Sequence, residues 1–247
     1  MRHIGPLGVP FMTVAILYED NHLLVVVKPP GIPSQADETG DPDMLTILKE
    51  DLKVRYDKPG NVYLGLVHRL DRPVGGAMVF AKTSKSASRL SEAVRSRSFG
   101  KTYMCVAQGV PARSFATLRH YISKDGSRNK VTVLNHAAPE AKEAVLSYSV
   151  VANNSASSLV AVSLETGRPH QIRAQLAHIG HPLAGDQKYG DRKPGALSSI
   201  ALWSTSVSFP HPVTKERLTF TSLPELAGAW KPWSPAQLEA AARHFIQ

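Results

Sequence analysis

The chain predicts an α+β fold. Three observations carry this expectation. Alternating or β-branched apolar runs recur along the sequence, a few segments show a helical apolar stripe between caps, and no long linker separates them. With 247 residues, 43% of them hydrophobic, the chain can bury one large core or two tightly joined halves.

Residues 1–13, with Gly5, Pro6, Gly8 and Pro10 and no signal-peptide core, read as a loose leader. Residues 14–18 and 23–27 are predicted strands paired across Glu19-Asp20-Asn21-His22, and Pro29-Pro30-Gly31 stops the second. Asp41-Pro42 predicts a helix start, an N-cap followed by a first-turn proline, with Leu45, Leu48 and Leu52 on its apolar face. Residues 77–81 form a short strand. Residues 84–97 then form an amphipathic helix buried through Ala87, Leu90 and Val94. Its last turn carries Arg95 and Arg97, where cations suit the helix dipole, and Gly100 ends it.

Residues 101–108, 143–152 and 158–165 read as strands, with alternation clearest at Val160, Val162 and Leu164. Residues 124–130, with Gly126 and Asn129, predict an exposed basic hairpin loop. Residues 169–179 are a helix faced by Ile172, Leu176 and Ile179 and closed by Gly180. Strand-rich segments follow at 200–209 and 217–221. A final helix capped by Ser234-Pro235 carries Leu238, Ala241, Ala242 and Phe245.

Lys and Arg number 29 against 20 acidic residues, a net charge of +9 that favours an anionic partner. Nucleic acid is the usual such partner; an anionic membrane surface or a merely solvated basic surface are the alternatives. One cysteine, Cys105, excludes an intrachain disulfide and a cysteine-based zinc site, as suits a reducing cytoplasm. No apolar run approaches the ~20 residues of a membrane span.

The densest chemistry lies in His68-Arg69-Leu70-Asp71-Arg72-Pro73-Val74-Gly75-Gly76. One carboxylate stands between two guanidinium groups, which favour its charged form, and Pro with paired Gly allows a tight turn at a cleft rim. Local sequence also allows Asp71 to be an ordinary turn aspartate bonding its own backbone. Farther on, Pro169 is expected in a first helical turn, which places Arg173 one turn in, on the face of His170 and Ala177. A guanidinium near a core boundary wants a carboxylate, and Asp71 is a natural choice through two parallel hydrogen bonds. A purely structural ion pair is the alternative. Tyr103, in Lys101-Thr102-Tyr103, is either a ring for stacking on a base or core packing with its hydroxyl at the surface. No His-Glu-x-x-His, Walker loop, Gly-x-Gly-x-x-Gly after a strand or Gly-x-Ser-x-Gly elbow is present, so neither metal nor cofactor is expected.

These segments resemble the RluA-type family of pseudouridine synthases. The N-terminal motif is similar over residues 16–31, from Ile16 to Lys28-Pro29-Pro30-Gly31, and the aspartate signature over His68 to Arg72. Lys101-Thr102-Tyr103 is similar to the tyrosine motif. Thr166-Gly167-Arg168-Pro169-His170-Gln171-Ile172-Arg173 and Gly185-Asp186-Gln187-Lys188-Tyr189-Gly190 resemble the last motif, and Phe209-Pro210-His211-Pro212-Val213-Thr214 follows the tail. The resemblance implies a mixed, mainly antiparallel sheet flanked by helices, with a central cleft, formed by residues 14–247 as one catalytic domain. It implies cofactor-free isomerisation of uridine in structured RNA, ribosomal or transfer, to pseudouridine. Asp71 is then the nucleophile, Arg173 its ion-pair partner, and Tyr103 the ring packed on uracil, sharing in proton removal from the base carbon. Because a stacked base cannot react, the target must be flipped out, and Arg69 would enter the vacated stack or contact the backbone. Arg72, Arg168, His170, Lys101, Arg95 and Arg97 are the further RNA-binding candidates, with Lys85 and Arg89 in the same basic stripe.

Two departures stand out. Val74-Gly75 occupies the place where the family usually has a Thr-Ser pair. Only about a dozen residues precede the first strand, so an N-terminal S4-type RNA-binding domain is not expected, and recognition of a compact stem-loop by a cytoplasmic monomer is. Two rivals remain at this level. One is a non-catalytic RNA-binding protein that keeps the fold. The other is a carboxylate-dependent glycosidase or nucleosidase, which would need Glu165 or Asp186 as a second acid.

Overall fold

The structure, a computed structural model, describes residues 14–125, 129–190 and 199–246. The leader expected at residues 1–13 and the centre of the basic loop, residues 126–128, lie outside the described residues.

Strands β1 (Ala15–Glu19) and β2 (Leu23–Lys28) pair antiparallel, and Asp20 closes their turn by accepting the N–H groups of His22 and Leu23 at 2.7 Å each. Helix α1 (Met44–Arg55) starts two residues later than the sequence suggested. Its cap is Asp43, which accepts from Leu45 and Thr46, because Asp41 is drawn away to Arg72. Met44, Leu48 and Leu52 form its buried face. A two-residue strand β3 (Gly65–Leu66) and the wholly buried β4 (Gly75–Ala81) follow. Helix α2 (Ser84–Arg95) is capped by Thr83 and buries Ser86, Leu90 and Ala93, a face rotated from the expected Ala87, Leu90 and Val94. Arg97 lies beyond its end with φ +61°, and Gly100 opens the next strand instead of ending the helix.

The remaining strands are β5 (Gly100–Gln108), β6 (Phe115–Asp125), β7 (Lys130–Leu134), β8 (Lys142–Asn153) and β9 (Ser157–Leu164). β6 and β7 pair antiparallel from Tyr121↔Leu134 to Asp125↔Lys130, the last pair flanking the undescribed residues 126–128. Helix α3 (Gln171–His178), β10 (Leu202–Pro210), β11 (Arg217–Thr221) and helix α4 (Pro235–Arg243) complete the chain. A reciprocal Ser234–Gln237 capping box starts α4.

All strands join one sheet in the order β1-β2-β4-β10-β5-β9-β8-β6-β7, with β11 on β10 and β3 on β4. Among the described strands only β4 and β10 run parallel. Strand alternation divides the core. Leu24, Val26, Tyr103, Cys105, Val160 and Val162 pack with Met44, Leu48 and Leu52 of α1 and with Ile172 and Leu176 of α3. Their neighbours Met104, Val106, Leu159 and Ala161 face Trp203, Trp230, Trp233 and Leu238 of α4. Leu23, Val25, Ala77 and Val79 pack with Leu90 and Ala93 of α2. The sheet is thus mixed, mainly antiparallel and helix-covered, as expected.

The parallel seam is unusually tight. A Cβ on Gly75 would lie 2.3 Å from the Trp203 ring, and one on Gly76, whose φ is +121°, would lie 2.2 Å from the carbonyl oxygen of Ser204. Only glycine fits at either place. The seam ends where the Asp71 turn begins, so close approach of β10 sets the position of that turn.

Candidate active site

Asp71 sits on a turn closed by the Val74 N–H on its own carbonyl at 2.9 Å. Arg173 stands in the first turn of α3 and donates from Nη1 to Asp71 Oδ2 at 3.0 Å across 102 residues of sequence. The fork grip expected on Asp71 goes elsewhere. Nε and Nη2 of Arg173 bind Asp186 at 2.8 and 2.9 Å, leaving one hydrogen bond for Asp71. The loop after α3 makes this possible, because Asp186 Oδ1 also accepts the N–H groups of Lys188 and Tyr189 and so folds its carboxylate inward.

The two carboxylates differ in access. The Asp186 side chain is 0% exposed and that of Asp71 is 29% exposed, while Arg173 is 7% exposed. Asp186 is therefore the fixed counter-charge, and Asp71 is the acid that a ligand can reach. Burial by itself would raise Asp186, but Arg173 and the two backbone N–H groups outweigh it and hold the carboxyl below its ordinary value.

His170 flanks Asp71 from outside the helix. It is the N-cap residue with φ +52°, makes no side-chain cap bond, and does not share a helical face with Arg173 as the sequence had suggested. Its Nδ1 lies 2.8 Å from the Tyr189 hydroxyl and its Nε2 3.9 Å from Asp71 Oδ2. Tyr189 in turn accepts the Val131 N–H at 2.9 Å, and Arg173 lies over its ring at 5.4 Å. This ties the β6–β7 hairpin to the Asp71 cluster. Burial lowers His170 below its usual range, the charge of Asp71 opposing and that of Arg173 adding to the shift.

Tyr103 is buried on β5 in the same core as Leu70 and Val74 of the Asp71 turn. Burial and the nearby Asp71 charge push its phenol up, so it is a neutral ring at ordinary pH. Behind the turn, Lys28 is fully buried at the end of β2 and donates to the carbonyls of Pro29 at 2.9 Å and Arg72 at 3.1 Å. Burial brings this ammonium down to about 7, with Asp71 opposing the shift and Arg72 adding to it.

The basic candidates divide by engagement. Arg72 does not flank Asp71 as expected; it turns to Asp41, to Thr39 at 3.2 Å and to the Gly31 carbonyl at 3.0 Å, clamping the loop before α1. Its neighbour Arg69 is exposed and makes no hydrogen bond or ion pair among the described residues. Arg168 spends its Nε on the Glu143 carbonyl at 2.8 Å. Arg95 pairs with Glu92 and Arg97 with Glu165, both on the surface, where such pairs are worth little. Arg89 donates to the Pro212 carbonyl. Lys101 has no hydrogen-bond or ion-pair partner among the described residues.

The two acids proposed for a glycosidase do not pair with Asp71. Asp186 is locked on Arg173, and Glu165 holds Arg97. Sequence reasoning also missed the roles of Lys28 and Tyr189. The signal for the first was a lysine closing an otherwise apolar strand; for the second, a tyrosine in a turn-rich segment after Asp186.

Comparison with known proteins gives the family and the fold. The family model described as RNA pseudouridylate synthase matches residues 22–178. The chain is 36% identical over 211 residues to the "Uncharacterized RNA pseudouridine synthase YhcT" of Bacillus subtilis, covering 81% of this chain and 65% of that protein. It is 35% identical over 228 residues to the "Ribosomal large subunit pseudouridine synthase D" of Pseudomonas aeruginosa, covering 85% and 68%. The chain thus spans about two thirds of the length of such curated relatives, 65% of the first. Among solved structures, "Human RNA Pseudouridylate Synthase Domain Containing 4" shares the fold with a TM-score of 0.72 at 23% identity, covering 93% of this chain and 92% of that one.

Proposed function

Because the chain belongs to the RNA pseudouridylate synthase family, in its RluA-type branch, we propose that it converts uridine in RNA to pseudouridine at Asp71. One observation carries the reading. A reachable carboxylate is held by a buried guanidinium that a second, inaccessible carboxylate keeps in place, with the Tyr103 ring close by. A structural ion pair would have no need to leave Asp71 partly open.

The chemistry follows from that arrangement. The C1′–N1 bond of uridine breaks, the uracil turns, and a C1′–C5 bond forms; C5 gives up a proton and N1 gains one. No electron or atom is exchanged with a cofactor. Asp71 supplies the anion that takes up one fragment or its positive charge. Arg173 keeps that oxygen aimed, and pre-set orientation of this kind lowers the barrier without movement during the reaction. Tyr103 packs against uracil as a neutral ring.

The target must leave its stack, at a cost of a few kcal/mol. Arg69, exposed and unengaged, fills the gap or meets the backbone; Arg168 and His170 line the approach to Asp71. Residues 14–247 act as one catalytic domain, as a monomer in the cytoplasm, on a stem-loop. Relatives whose names specify the large ribosomal subunit favour ribosomal over transfer RNA as the substrate.

Asp71→Asn tests the proposal. With a transcript of large-subunit ribosomal RNA, the variant should form no detectable pseudouridine while binding RNA within about threefold of the parent protein. Turnover near the parent rate would refute the assignment. Parent protein that binds RNA yet leaves every uridine unchanged would favour a non-catalytic binder.

A further inference from the structure

The cations around the Asp71 cluster nearly all have work inside the protein. Arg173 serves Asp71 and Asp186, Arg72 serves Asp41, Arg97 serves Glu165, and Lys28 holds two carbonyls. Lys101 differs. It is half-buried on β5, two residues before Tyr103, and has no acceptor among the described residues. Its ammonium lies against Gly167, where a Cβ would come within 3.0 Å of Nζ, so the Thr166-Gly167-Arg168 segment leaves room for it. The segments that bear Asp71, Tyr103 and Arg173 therefore approach one another again at Lys101.

His68 marks the same neighbourhood. Its Nε2 accepts the Val79 N–H at 3.1 Å, so the ring proton of the neutral imidazole sits on Nδ1. That buried Nδ1 has no partner among the described residues. Burial, with the charge of Lys101 adding to it, holds His68 down to about 3, so it remains a neutral donor. Among the described residues these two donors share the corner and neither has an acceptor. A partly desolvated cation without a counter-ion is costly unless a ligand brings one.

We infer that Lys101 anchors one backbone phosphate of the RNA strand beside the flipped nucleotide, in the notch formed by Gly167. This rests on the reading that the ligand is RNA. A phosphodiester fits better than a uracil carbonyl because the unmatched group carries a full charge, and RNA supplies one anion per nucleotide. Arg95 and Arg97, already paired on the surface, are then secondary to Lys101.

The test uses Asp71→Asn protein, so that binding is measured without turnover, and a large-subunit ribosomal RNA transcript at a series of KCl concentrations. Adding Lys101→Met should weaken binding several-fold and reduce the slope of log Kd against log salt by about 0.7 to 0.9, the equivalent of one phosphate contact. Lys101→Arg should keep the slope, and Gly167→Ala, which pushes the ammonium out of its notch, should lose part of it. The melting temperature of Lys101→Met should not fall, since no internal partner is lost. An unchanged salt slope in Lys101→Met, or a lowered melting temperature with the slope intact, would overturn the inference. Wild-type turnover by Asp71→Asn alone would sink the catalytic reading and leave this one standing.

Discussion

Asp186 holds Arg173 by both carboxylate oxygens, at 2.8 and 2.9 Å, and so determines which guanidinium nitrogen remains for Asp71. Aim at the reachable acid is thus set from the inaccessible one. Asp186→Asn should lower turnover by about 100-fold with RNA affinity little changed, as expected when a reacting group is misplaced. It should also cost about 3–5 kcal/mol in urea unfolding, because it leaves a buried cation under-compensated.

The same pair predicts acid sensitivity. Asp186 is held below its ordinary 3.8, so its stabilisation is complete above that value and is lost as pH falls through the lower folded value. Unfolding free energy measured from pH 5 to pH 2 should drop more steeply in the parent protein than in Asp186→Asn.

Lys28 gives a slope of the same sign at neutral to alkaline pH. Its folded value is about 7 against an ordinary 10.5, so between these the unfolded chain binds a proton that the folded chain does not. Stability contributed through Lys28 therefore rises with pH across that window. Relative to Lys28→Met, the parent protein should gain stability between pH 7 and pH 10; parallel pH curves for the two proteins would contradict a desolvated amine.

Gly75 stands where the family usually has serine, and Trp203 fills the space. Gly75→Ser should therefore destabilise by about 1–3 kcal/mol through overpacking and shift tryptophan fluorescence. Pairing it with Trp203→Leu should recover part of the loss in a double-mutant cycle.

Tyr189→Phe removes the acceptor of the buried Val131 N–H and the partner of His170 Nδ1. A loss of about 1–3 kcal/mol is expected from the orphaned donor. Faster amide exchange at Val131 would locate it.

What could be read beforehand divides along physical lines. Asp71 with Arg173 was legible because a guanidinium near a core boundary demands an acid. The sharing with Asp186 was not, since it depends on the path of the loop after α3, where Leu183, Lys188 and Tyr189 turn the carboxylate inward. Strands β2 and β5 announced themselves as continuous apolar runs and β9 through apolar alternation. β6 was seen only as a hairpin tip, because the exposed Arg119 and the half-buried His120 and Tyr121 dilute its apolar pattern. The cap was expected at Asp41, but Arg72 claims that carboxylate and Asp43 caps α1 instead. The left-handed His170 starts α3 at Gln171, two residues after the expected Pro169, and no local pattern marks a positive φ on histidine.

The place of β10 has a temporal consequence. It lies between β4 and β5, yet it begins at residue 202. A nascent chain emerging from the ribosome therefore cannot bring the two edges bearing Asp71 and Tyr103 into one sheet until residues 202–210 have been made. Before that point the turn of Asp71 and the strand of Tyr103 have no common sheet to hold them.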